Sequence, residues 1–430
     1  MRFAQAEADL DARQPQRMVP DLDRIRAVAD LLDHPERTYP SIHVTGTNGK
    51  TTTARLIGRI LCAHGLSTGV YTSPHLETVR ERLALCEDPI SEAEFADTYE
   101  HLLPYLREVD PMTDERVTYF EALTALAYLW FADKPVDAAV FEVGMGGTWD
   151  ATNLIESKVA VICTLDLDHP ELGSTVEEVA REKAGIIKSG ATTVVQDTGP
   201  DGLKVVEDRA REVGSTLILR GRDYTLAERT PAVGGQRITV AGLHAAYEGY
   251  LLSLHGAHQA ENAAAAIVAA EAFLGRALDG GAVRDALDGA TAPGRLEAVA
   301  RHPLVVLDGA HNPEAARALA EALPEAFAWD RLHLVVGVLD TKDVDGILRP
   351  LAPAAHRAYA CANSNPKSLP AERMGAACRA AGIDDVEEHD SVSAALDAAR
   401  AEAGEDDLIL VTGSLYTVAD ARPQLVTEEP

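Results

Sequence analysis

A glycine-rich segment near residue 46 carries the residue types that bind nucleotide phosphates. Gly46-Thr-Asn-Gly-Lys-Thr51 follows a predicted apolar strand, Ser41–Thr45, and precedes apolar residues at helical spacing. Its glycines permit a tight turn with inward N–H groups, and the start of the helix adds a positive dipole end. Lys50 can reach terminal phosphates, and the Thr51 hydroxyl can bind magnesium. The segment predicts a shortened P-loop, and the alternative is an ordinary strand–turn–helix corner.

Two further residue types that suit a metal–nucleotide site follow predicted strands. Glu142 ends a β-branched and aromatic stretch, and His169 follows the apolar strand Val159–Thr164. Ligands bind at the carboxyl ends of parallel strands, so we expect Glu142 to face the bound phosphates. With hydroxyls from Thr51 and Ser73, these residues predict magnesium sites beside ATP. A solvent-facing carboxylate and a core histidine are the alternatives.

The elements that must position these residues alternate between strands and helices. A chain of 430 residues is expected to form two to three domains, and 46% apolar residues are enough to fill their hydrophobic cores. A helix is predicted from 117–121 onwards, and another begins near Ser174 with Glu177 in capping-box spacing. The segment 76–90 is either a mobile loop over a site or a solvated hairpin. Beyond residue 293, alternation predicts a parallel sheet with helices on both faces, without the glycine fingerprint of a dinucleotide site.

Composition limits the classes of partner. Asp and Glu number 68 against 39 Lys and Arg, a formal charge of -29, which argues against nucleic-acid and membrane-surface partners. The five cysteines lack paired metal-type spacing, so we expect each to be a reduced, small core residue in the cytosol. The polar start of the chain and the lack of a bilayer-length apolar run predict a soluble, cytoplasmic protein.

Motifs along nearly the whole chain resemble those of folylpolyglutamate synthase and dihydrofolate synthase, members of the Mur ligase superfamily. The motifs that carry this resemblance are His43 to Lys50, Thr72-Ser-Pro-His-Leu76, Phe120-Glu121, Glu142-Val-Gly-Met-Gly-Gly147, Asp150-Ala-Thr-Asn153, Asp168-His169, Glu182-Lys-Ala-Gly-Ile186, His258-Gln259 with Asn262, Pro293-Gly-Arg-Leu-Glu297, Asp308-Gly-Ala-His-Asn-Pro313 and Gly413-Ser-Leu-Tyr416. Their order and spacing together are hard to produce by chance. Thr72 to Leu76 and Asp308 to Pro313 favour the folate branch over the peptidoglycan ligases.

The resemblance implies a fold, with a P-loop-containing Mur-ligase-like central domain and a smaller Rossmann-like α/β C-terminal domain. It places the N-terminal and central part at 1–292, a linker at 293–299 and the glutamate ligase domain at 300–430. The implied ATP-binding residues are Gly46, Thr47, Asn48, Gly49, Lys50, Thr51, Asn262, Arg295, Asp308 and His311. The implied magnesium ligands, for two ions, are Thr51, Ser73, Glu142, His169 and Lys183, the last of them carbamylated. The implied catalytic residues are Lys50, Lys183 and His311, whereas Phe120 and Asp150 would contact folate.

The implied reaction is ATP-dependent addition of L-glutamate to dihydropteroate, to a reduced folate, or to both, through an acyl phosphate. Thr148 stands where the family usually has an arginine, and Lys367 replaces a commoner arginine. These departures leave the substrate open, so a Mur-type ligase acting on another carboxylate is the alternative. A nucleotide-binding regulatory protein without chemistry is a third hypothesis. We expect a monomer that closes its domains around the cleft to exclude water.

Overall fold

The computed structural model describes residues 1–15, 19–167 and 170–426. It divides into two compact units. The first unit comprises Met1–Arg229, Ile238–Leu251 and Glu261–Ala290, and the second comprises Thr230–Arg237, Leu252–Ala260 and Thr291–Pro430.

The helices and strands follow the alternation that the sequence predicts. The helices are α1 Phe3–Asp11, α2 Asp23–Leu31, α3 Lys50–Ala63, α4 Glu92–Val109, α5 Tyr119–Asp133, α6 Val176–Lys183, α7 Gly199–Val213, α8 Ala257–Leu274, α9 Gly280–Asp288, α10 Pro313–Ala326, α11 Val344–Leu351, α12 Ala371–Ala380, α13 Val392–Glu402 and α14 Leu415–Ala421. The strands are β1 Ser41–Thr45, β2 Thr68–Tyr71, β3 Leu83–Leu85, β4 Asp88–Pro89, β5 Ala138–Glu142, β6 Val159–Ile162, β7 Thr192–Val195, β8 Thr216–Leu219, β9 Thr225–Ala232, β10 Gly235–Ala241, β11 Ala246–Leu252, β12 Glu297–Arg301, β13 Leu304–Leu307, β14 Leu332–Val336, β15 Ala355–Cys361, β16 Val386–His389 and β17 Leu408–Thr412.

The main sheet of the first unit places β1 at its centre. Its strand order is β4-β3-β2-β5-β1-β6-β7-β8, in which β2, β5, β1, β6, β7 and β8 are parallel and the hairpin strands β3 and β4 are antiparallel. Val44 pairs with Glu142 in β5, and Thr45 pairs with Ile162 in β6. The segment after β1 therefore leaves the sheet between the carboxyl ends of β5 and β6.

Buried apolar side chains hold the helices onto this sheet. Helix α5 is buried along almost its whole length and packs with α2, α4 and Phe141 of β5 in one core cluster. A smaller cluster joins α6 and α7 to β6 and β7. The strands beside the P-loop are thus fixed by packing on their faces.

The second unit contains a six-stranded sheet. Its order is β12-β13-β17-β14-β15-β16, with β12 antiparallel to β13 and the other pairs parallel. The predicted alternation is confirmed here, and the antiparallel edge strand β12 is an addition that the sequence analysis did not predict. A separate three-stranded sheet has the order β11-β10-β9.

Three local predictions differ from the structure or are settled by it. Helix α5 begins at Tyr119, because Thr118 and Glu121 form a capping box. Helix α6 is capped by Thr175, which accepts a hydrogen bond from Glu178, one residue later than the predicted Ser174 and Glu177 pair. Segment 76–90 forms a short 3-10 turn and the β3–β4 hairpin, but Val79, Leu83 and Ile90 are buried in the core, so the hairpin is not the solvated one of the alternative.

The prediction of reduced thiols is wrong for two of the five cysteines. Cys62, near the end of α3, forms a disulfide with Cys86 in the β3–β4 turn, with Cα atoms 5.9 Å apart. Strand β3 pairs with β2, the strand that follows α3, and this pairing brings together cysteines separated by 24 residues. Cys163, Cys361 and Cys378 are buried thiols, as predicted.

None of the helices within residues 1–15, 19–167 and 170–426 is both long and apolar enough to cross a bilayer.

Candidate functional site

The loop between β1 and α3 requires glycine at two positions. Gly46 and Gly49 have φ values of 151° and 86°, a region that other residues rarely adopt. A Cβ atom on Gly46 would lie 2.6 Å from Cβ of Cys163, and one on Gly49 would lie 2.5 Å from Oδ1 of Asn262. Cys163, which follows strand β6, and Asn262 of helix α8 therefore lie close enough to the loop to exclude a side chain.

Hydrogen bonds to the segment after β6 fix the middle of the loop. The Thr47 amide donates to the Thr164 carbonyl at 2.7 Å, and the Thr47 hydroxyl donates to the Asp166 carbonyl at 2.9 Å. The Asn48 amide approaches the Thr164 hydroxyl at 3.3 Å. This part of the site is thus preorganised by backbone contacts.

Two lysine amines meet on one backbone carbonyl. Lys50 Nζ donates to the Gly46 carbonyl at 2.9 Å and to the Thr47 carbonyl at 3.1 Å. Lys183, the last residue of α6, is 3% exposed, and its Nζ donates to the same Gly46 oxygen at 2.9 Å. The structure therefore brings together the predicted catalytic lysines from distant parts of the sequence.

Glu142 contacts two other predicted metal ligands, Thr51 and Ser73. Its side chain is 1% exposed, with Oε1 accepting from the Thr51 hydroxyl at 2.8 Å and Oε2 from the Ser73 amide at 2.9 Å. The prediction for His169 lies outside the described residues. Among the residues that are described, no three His, Cys, Asp or Glu side chains cluster to hold a metal. The hydroxyl and carboxylate oxygens fit magnesium, a hard cation that binds a few protein oxygens together with substrate phosphates.

The glycine-rich loop after β5 is fastened to the end of α6. The Thr45 hydroxyl donates to the Gly146 carbonyl at 2.8 Å, and both the amide and the hydroxyl of Thr148 donate to the Glu182 carbonyl at 3.0 Å. The Asn153 side-chain amide donates to the Thr148 carbonyl at 3.0 Å. Thr148 thus joins the loop to the residue that precedes Lys183.

The two predicted folate residues border one point of this loop. A Cβ atom on Gly144 would lie 2.5 Å from Cζ of Phe120, whose ring is partly buried. The buried Asp150 carboxylate accepts from the Met145 amide at 2.9 Å and from the amide and hydroxyl of Thr152 at 3.0 and 2.5 Å. Burial raises the pKa of Asp150, while these hydrogen bonds oppose the shift.

Sequence reasoning missed two buried polar groups near these residues. His43 Nε2 lies 2.8 Å from the Thr152 hydroxyl, which itself donates to Asp150, and burial holds the pKa of His43 well below its ordinary value. Arg24 donates through Nε to both oxygens of Glu121 at 3.0 Å. The sequence did contain a signal for the Arg24–Glu121 pair, because an arginine within the apolar stripe of α2 needs a buried carboxylate as its partner.

In the second unit, the carboxyl end of β13 forms a compact turn around Asp308. Its carboxylate accepts from the Leu296 and Ala310 amides, both at 2.8 Å. Burial raises the pKa of Asp308, and Arg295 and the two amides oppose that shift. The Gly309 amide donates to the Gly294 carbonyl at 2.8 Å, so the turn is tied to the segment that carries Arg295.

Two predicted nucleotide-binding side chains flank this turn. A Cβ atom on Gly309 would collide with Nη1 of Arg295, so the guanidinium lies directly against the turn. His311 Nδ1 is 2.8 Å from the Gly309 carbonyl, which fixes Nδ1 as the donor and makes Nε2 the basic nitrogen.

Helix α8 carries His258 and Gln259 in its second-unit part and Asn262 in its first-unit part.

Family models match two long parts of the chain. A Mur ligase middle domain matches residues 44–270, and a Mur ligase glutamate ligase domain matches residues 294–415. The dihydrofolate synthase/folylpolyglutamate synthase of Mycobacterium tuberculosis is 39% identical over 97% of this chain and 93% of its own length. The chain belongs to the folylpolyglutamate synthase/dihydrofolate synthase family of Mur ligases. The predicted family and the predicted α/β fold class are confirmed.

Solved structures of the folylpolyglutamate synthase family share this fold along the chain. The Mycobacterium tuberculosis folylpolyglutamate synthase complexed with ADP has a TM-score of 0.95 and 38% identity, covering 99% of this chain and 98% of that one. Escherichia coli FolC in complex with DHPP and ADP has a TM-score of 0.87 and 32% identity, with 97% and 96% covered.

Proposed function

We propose that the chain is an ATP-dependent ligase that adds L-glutamate to dihydropteroate and to tetrahydrofolate. Curated relatives carry the names of both activities, and solved relatives hold ADP with or without DHPP. The observation that carries the proposal is the convergence of Lys50, Lys183 and Glu142 on the Gly46 loop. This is a site for the terminal phosphates of ATP.

The reaction we propose has two steps, since joining a carboxylate to an amine is uphill in water. An acceptor carboxylate oxygen takes the γ-phosphoryl group of ATP, and ADP leaves. The glutamate nitrogen then attacks the acyl carbon, inorganic phosphate leaves, and the nitrogen loses a proton as the amide forms. Lys50 would turn from its carbonyl partners toward the transferring group and neutralise its charge, while the rigid loop holds the phosphates in line.

We propose that two magnesium ions are held by Thr51, Ser73, Glu142, His169 and the modified Lys183. When bound, they would supply charge neutralisation at the β- and γ-phosphates. The Thr51 hydroxyl already donates a hydrogen bond to the Glu142 carboxylate, so these two proposed ligand oxygens lie next to each other.

The setting of Lys183 supports its proposed carbamylation. Lys50 and Lys183 donate to the same Gly46 oxygen, so the buried Lys183 amine lies beside a second lysine at the proposed phosphate site. A neutral buried amine is the form that adds carbon dioxide. Carbamylation would replace a repelling cation by an anion that can bind a metal.

Three second-unit residues remain our proposed nucleotide contacts. Arg295 offers a planar guanidinium for phosphate oxygens, and His311 presents Nε2 because Nδ1 is held by the Gly309 carbonyl. Asp308 would act by fixing the turn that carries both. We propose the domain division at residues 293–299, with Asn262 contributing from α8.

Phe120 and Asp150 remain our proposed folate contacts. Phe120 offers a partly buried ring against Gly144 for stacking on a pterin. Both Asp150 oxygens already accept loop hydrogen bonds, so its contribution is to shape the loop beside the ring. Thr148 leaves this part of the site without an arginine.

We propose a cytoplasmic monomer. The Cys62–Cys86 disulfide opposes the cytoplasmic assignment, because such bonds are rare in reducing compartments. Quenching cells in acid and denaturing the protein before alkylation counts all free thiols, including the buried Cys163, Cys361 and Cys378, and so tests the assignment. Five free thiols per chain would support it, and three would contradict it.

The proposed activities are tested by glutamate-dependent phosphate release from ATP, with dihydropteroate and tetrahydrofolate as separate acceptors. Turnover with both supports the bifunctional proposal, whereas turnover with one assigns the enzyme to that step. If neither acceptor supports phosphate release, in protein that binds ATP and magnesium, the folate assignment would be overturned. The ligase acting on another carboxylate would then replace it.

A further inference from the structure

A cavity of about 630 Å³ in the first unit is lined by none of the P-loop residues 46–51, but it shares Thr148 and Asn153 with the loop after β5. We call it the α6–α7 cavity, and Arg181, Lys188, Asp208, Arg209 and Glu212 are among the residues that line it. Arg181 lies two residues before Lys183, so the two side chains leave α6 on different faces. Lys183 reaches Gly46, whereas Arg181 lines this cavity.

The cavity has a surplus of positive charge in an acidic protein. Its two carboxylates are already paired, since Glu212 accepts from Arg209 at 2.9 Å and Asp208 accepts from Arg211 at 2.8 Å. Arg181 and Lys188 add two further cations to the lining. In a chain with a formal charge of -29, such a cluster needs a reason other than average composition.

The cations are also close to one another. Burial lowers the pKa of Lys188, and the nearby Arg209 lowers it further, while Glu156 opposes the shift. Lys188 Nζ donates to the Asn153 carbonyl at 2.8 Å, a neutral partner. Bound anionic groups would relieve the repulsion between Lys188 and Arg209 and would accept hydrogen bonds from the guanidinium N–H groups.

The size and lining of the cavity define the class of ligand. Its volume lies within the range of small-molecule sites and exceeds that of a single phosphate ion. Val205 and Ala184 supply apolar surface between the charged residues, which suits the spacer of a chain with several charges. From these observations we propose that the α6–α7 cavity binds an oligoanion carrying two or three carboxylate or phosphate groups.

The test is calorimetric titration of the full chain saturated with magnesium and a nonhydrolysable ATP analogue, which occupies the P-loop. One arm uses tri-γ-L-glutamate, and the other uses inorganic tripolyphosphate. We expect one or both to bind, and Arg181→Gln and Arg209→Gln each to weaken binding about tenfold. Binding of only one probe identifies a carboxylate chain or a phosphorylated compound as the ligand. Because no turnover is measured, the outcome does not depend on the proposed ligase reaction.

Lys204→Gln is the matched control, because Lys204 is an exposed cation on α7 that does not line the cavity. We expect this variant to bind as the parent protein does. Modification of Arg181 and Arg209 by phenylglyoxal, followed by peptide mass spectrometry, should slow when the probe is bound. Failure of both probes to bind would overturn the proposal. Unchanged probe affinity in Arg181→Gln, which replaces an exposed residue, would also overturn it. An equal loss in Lys204→Gln would also overturn it.

Discussion

The Gly46 loop of the first unit and the Asp308 turn of the second unit use charge in opposite ways. At the Gly46 loop, two cationic side chains donate to one neutral backbone carbonyl. At the Asp308 turn, one anionic side chain accepts from two backbone amides. Both arrangements lie at the carboxyl end of a parallel strand, so sheet position alone does not distinguish them.

The difference separates residues that act on a ligand from residues that hold a shape. The Gly46 and Thr47 carbonyls carry no net charge that could neutralise Lys50, so its amine keeps a positive charge for phosphate oxygens. The Asp308 carboxylate is bonded within its own turn, and its removal would leave buried amides without acceptors. We therefore expect variants at the first site to lose rate and variants at the second to lose stability.

The largest effect is expected at the lysine pair. Lys50→Ala and Lys183→Ala should each lower kcat by about 10³-fold, because each removes a charge-bearing group beside the reacting phosphate. Steady-state phosphate release measures the loss, and melting temperatures should change little by comparison. Bicarbonate should not restore Lys183→Ala, since alanine has no amine to carbamylate.

The control for the lysine pair is Lys204→Ala, which removes an exposed lysine and should retain parental rates. A ¹³C resonance of a carbamate should appear after addition of ¹³C-bicarbonate to the parent protein and be lost in Lys183→Ala. Full activity in Lys183→Ala would disprove the carbamate proposal and remove the basis of the comparison.

The next largest effect concerns the far end of the P-loop helix. The Cys62–Cys86 disulfide closes a loop of 24 residues in the first unit, which corresponds to about 3 kcal/mol of unfolding free energy. In the second unit, Cys361 and Cys378 are buried thiols. Reductant should therefore lower the urea midpoint of the first unit and leave that of the second unchanged.

Cys86→Ser is the matched control for the reductant. This variant should start with the lower stability, and reductant should not change it further. Reductant sensitivity in Cys86→Ser, or its absence in the parent protein, would show that this bond does not stabilise the first unit.

A smaller effect is expected at the Asp308 turn. Asp308→Asn keeps the size of the side chain but leaves one amide facing an NH₂ group, at a cost of about 2 kcal/mol in unfolding free energy. Urea unfolding measures this loss, and ATP affinity measured at a temperature where the variant is folded should fall less than threefold. A large loss of ATP affinity with unchanged stability would assign Asp308 to direct ligand contact.

The strands and the P-loop could be predicted from sequence because the signals are local. Ser41–Thr45 is predicted as a buried strand beside the glycine-rich turn, and its predicted bounds match β1. The position of Glu142 followed from one rule, that ligands bind at the carboxyl ends of parallel strands. These features depend on residues within one strand or turn.

Features that depend on tertiary proximity could not be predicted in the same way. Cys62 and Cys86 meet through the pairing of β2 with β3, and no spacing rule connects them. Lys183 and Lys50 share the Gly46 carbonyl although 133 residues separate them, and the family resemblance supplied Lys183 as a candidate without that contact. The second role of Asp308, as an acceptor for Leu296, depends on the path of the chain before β12.

The smallest effect compares Asp308 with Asp407, a second carboxylate of the same unit. Burial opposes ionisation of Asp407, but Arg331, the Gly404 amide and His333 hold its pKa at about 2. A lowered folded-state pKa means that its stabilising contribution is present above about pH 4 and is lost as the pH falls toward 2. We expect about 1–2 kcal/mol, because the Arg331 side chain is 45% exposed and solvent screens the pair.

The measurement is urea unfolding from pH 3 to pH 6 for the parent protein, Asp407→Asn and Asp308→Asn. Other carboxylates titrate equally in all three, so differences between the curves isolate each residue. The stability advantage of the parent over Asp407→Asn should shrink on acidification. Burial raises the pKa of Asp308, so its pH dependence has the opposite sign to that of Asp407. Ionisation of Asp308 lowers the unfolding free energy as the pH rises above the ordinary pKa of an aspartate. The unfolding free energy of the parent should therefore increase relative to that of Asp308→Asn on acidification. Parallel curves for the two variants would show that ion pairing and amide capping do not distinguish these carboxylates.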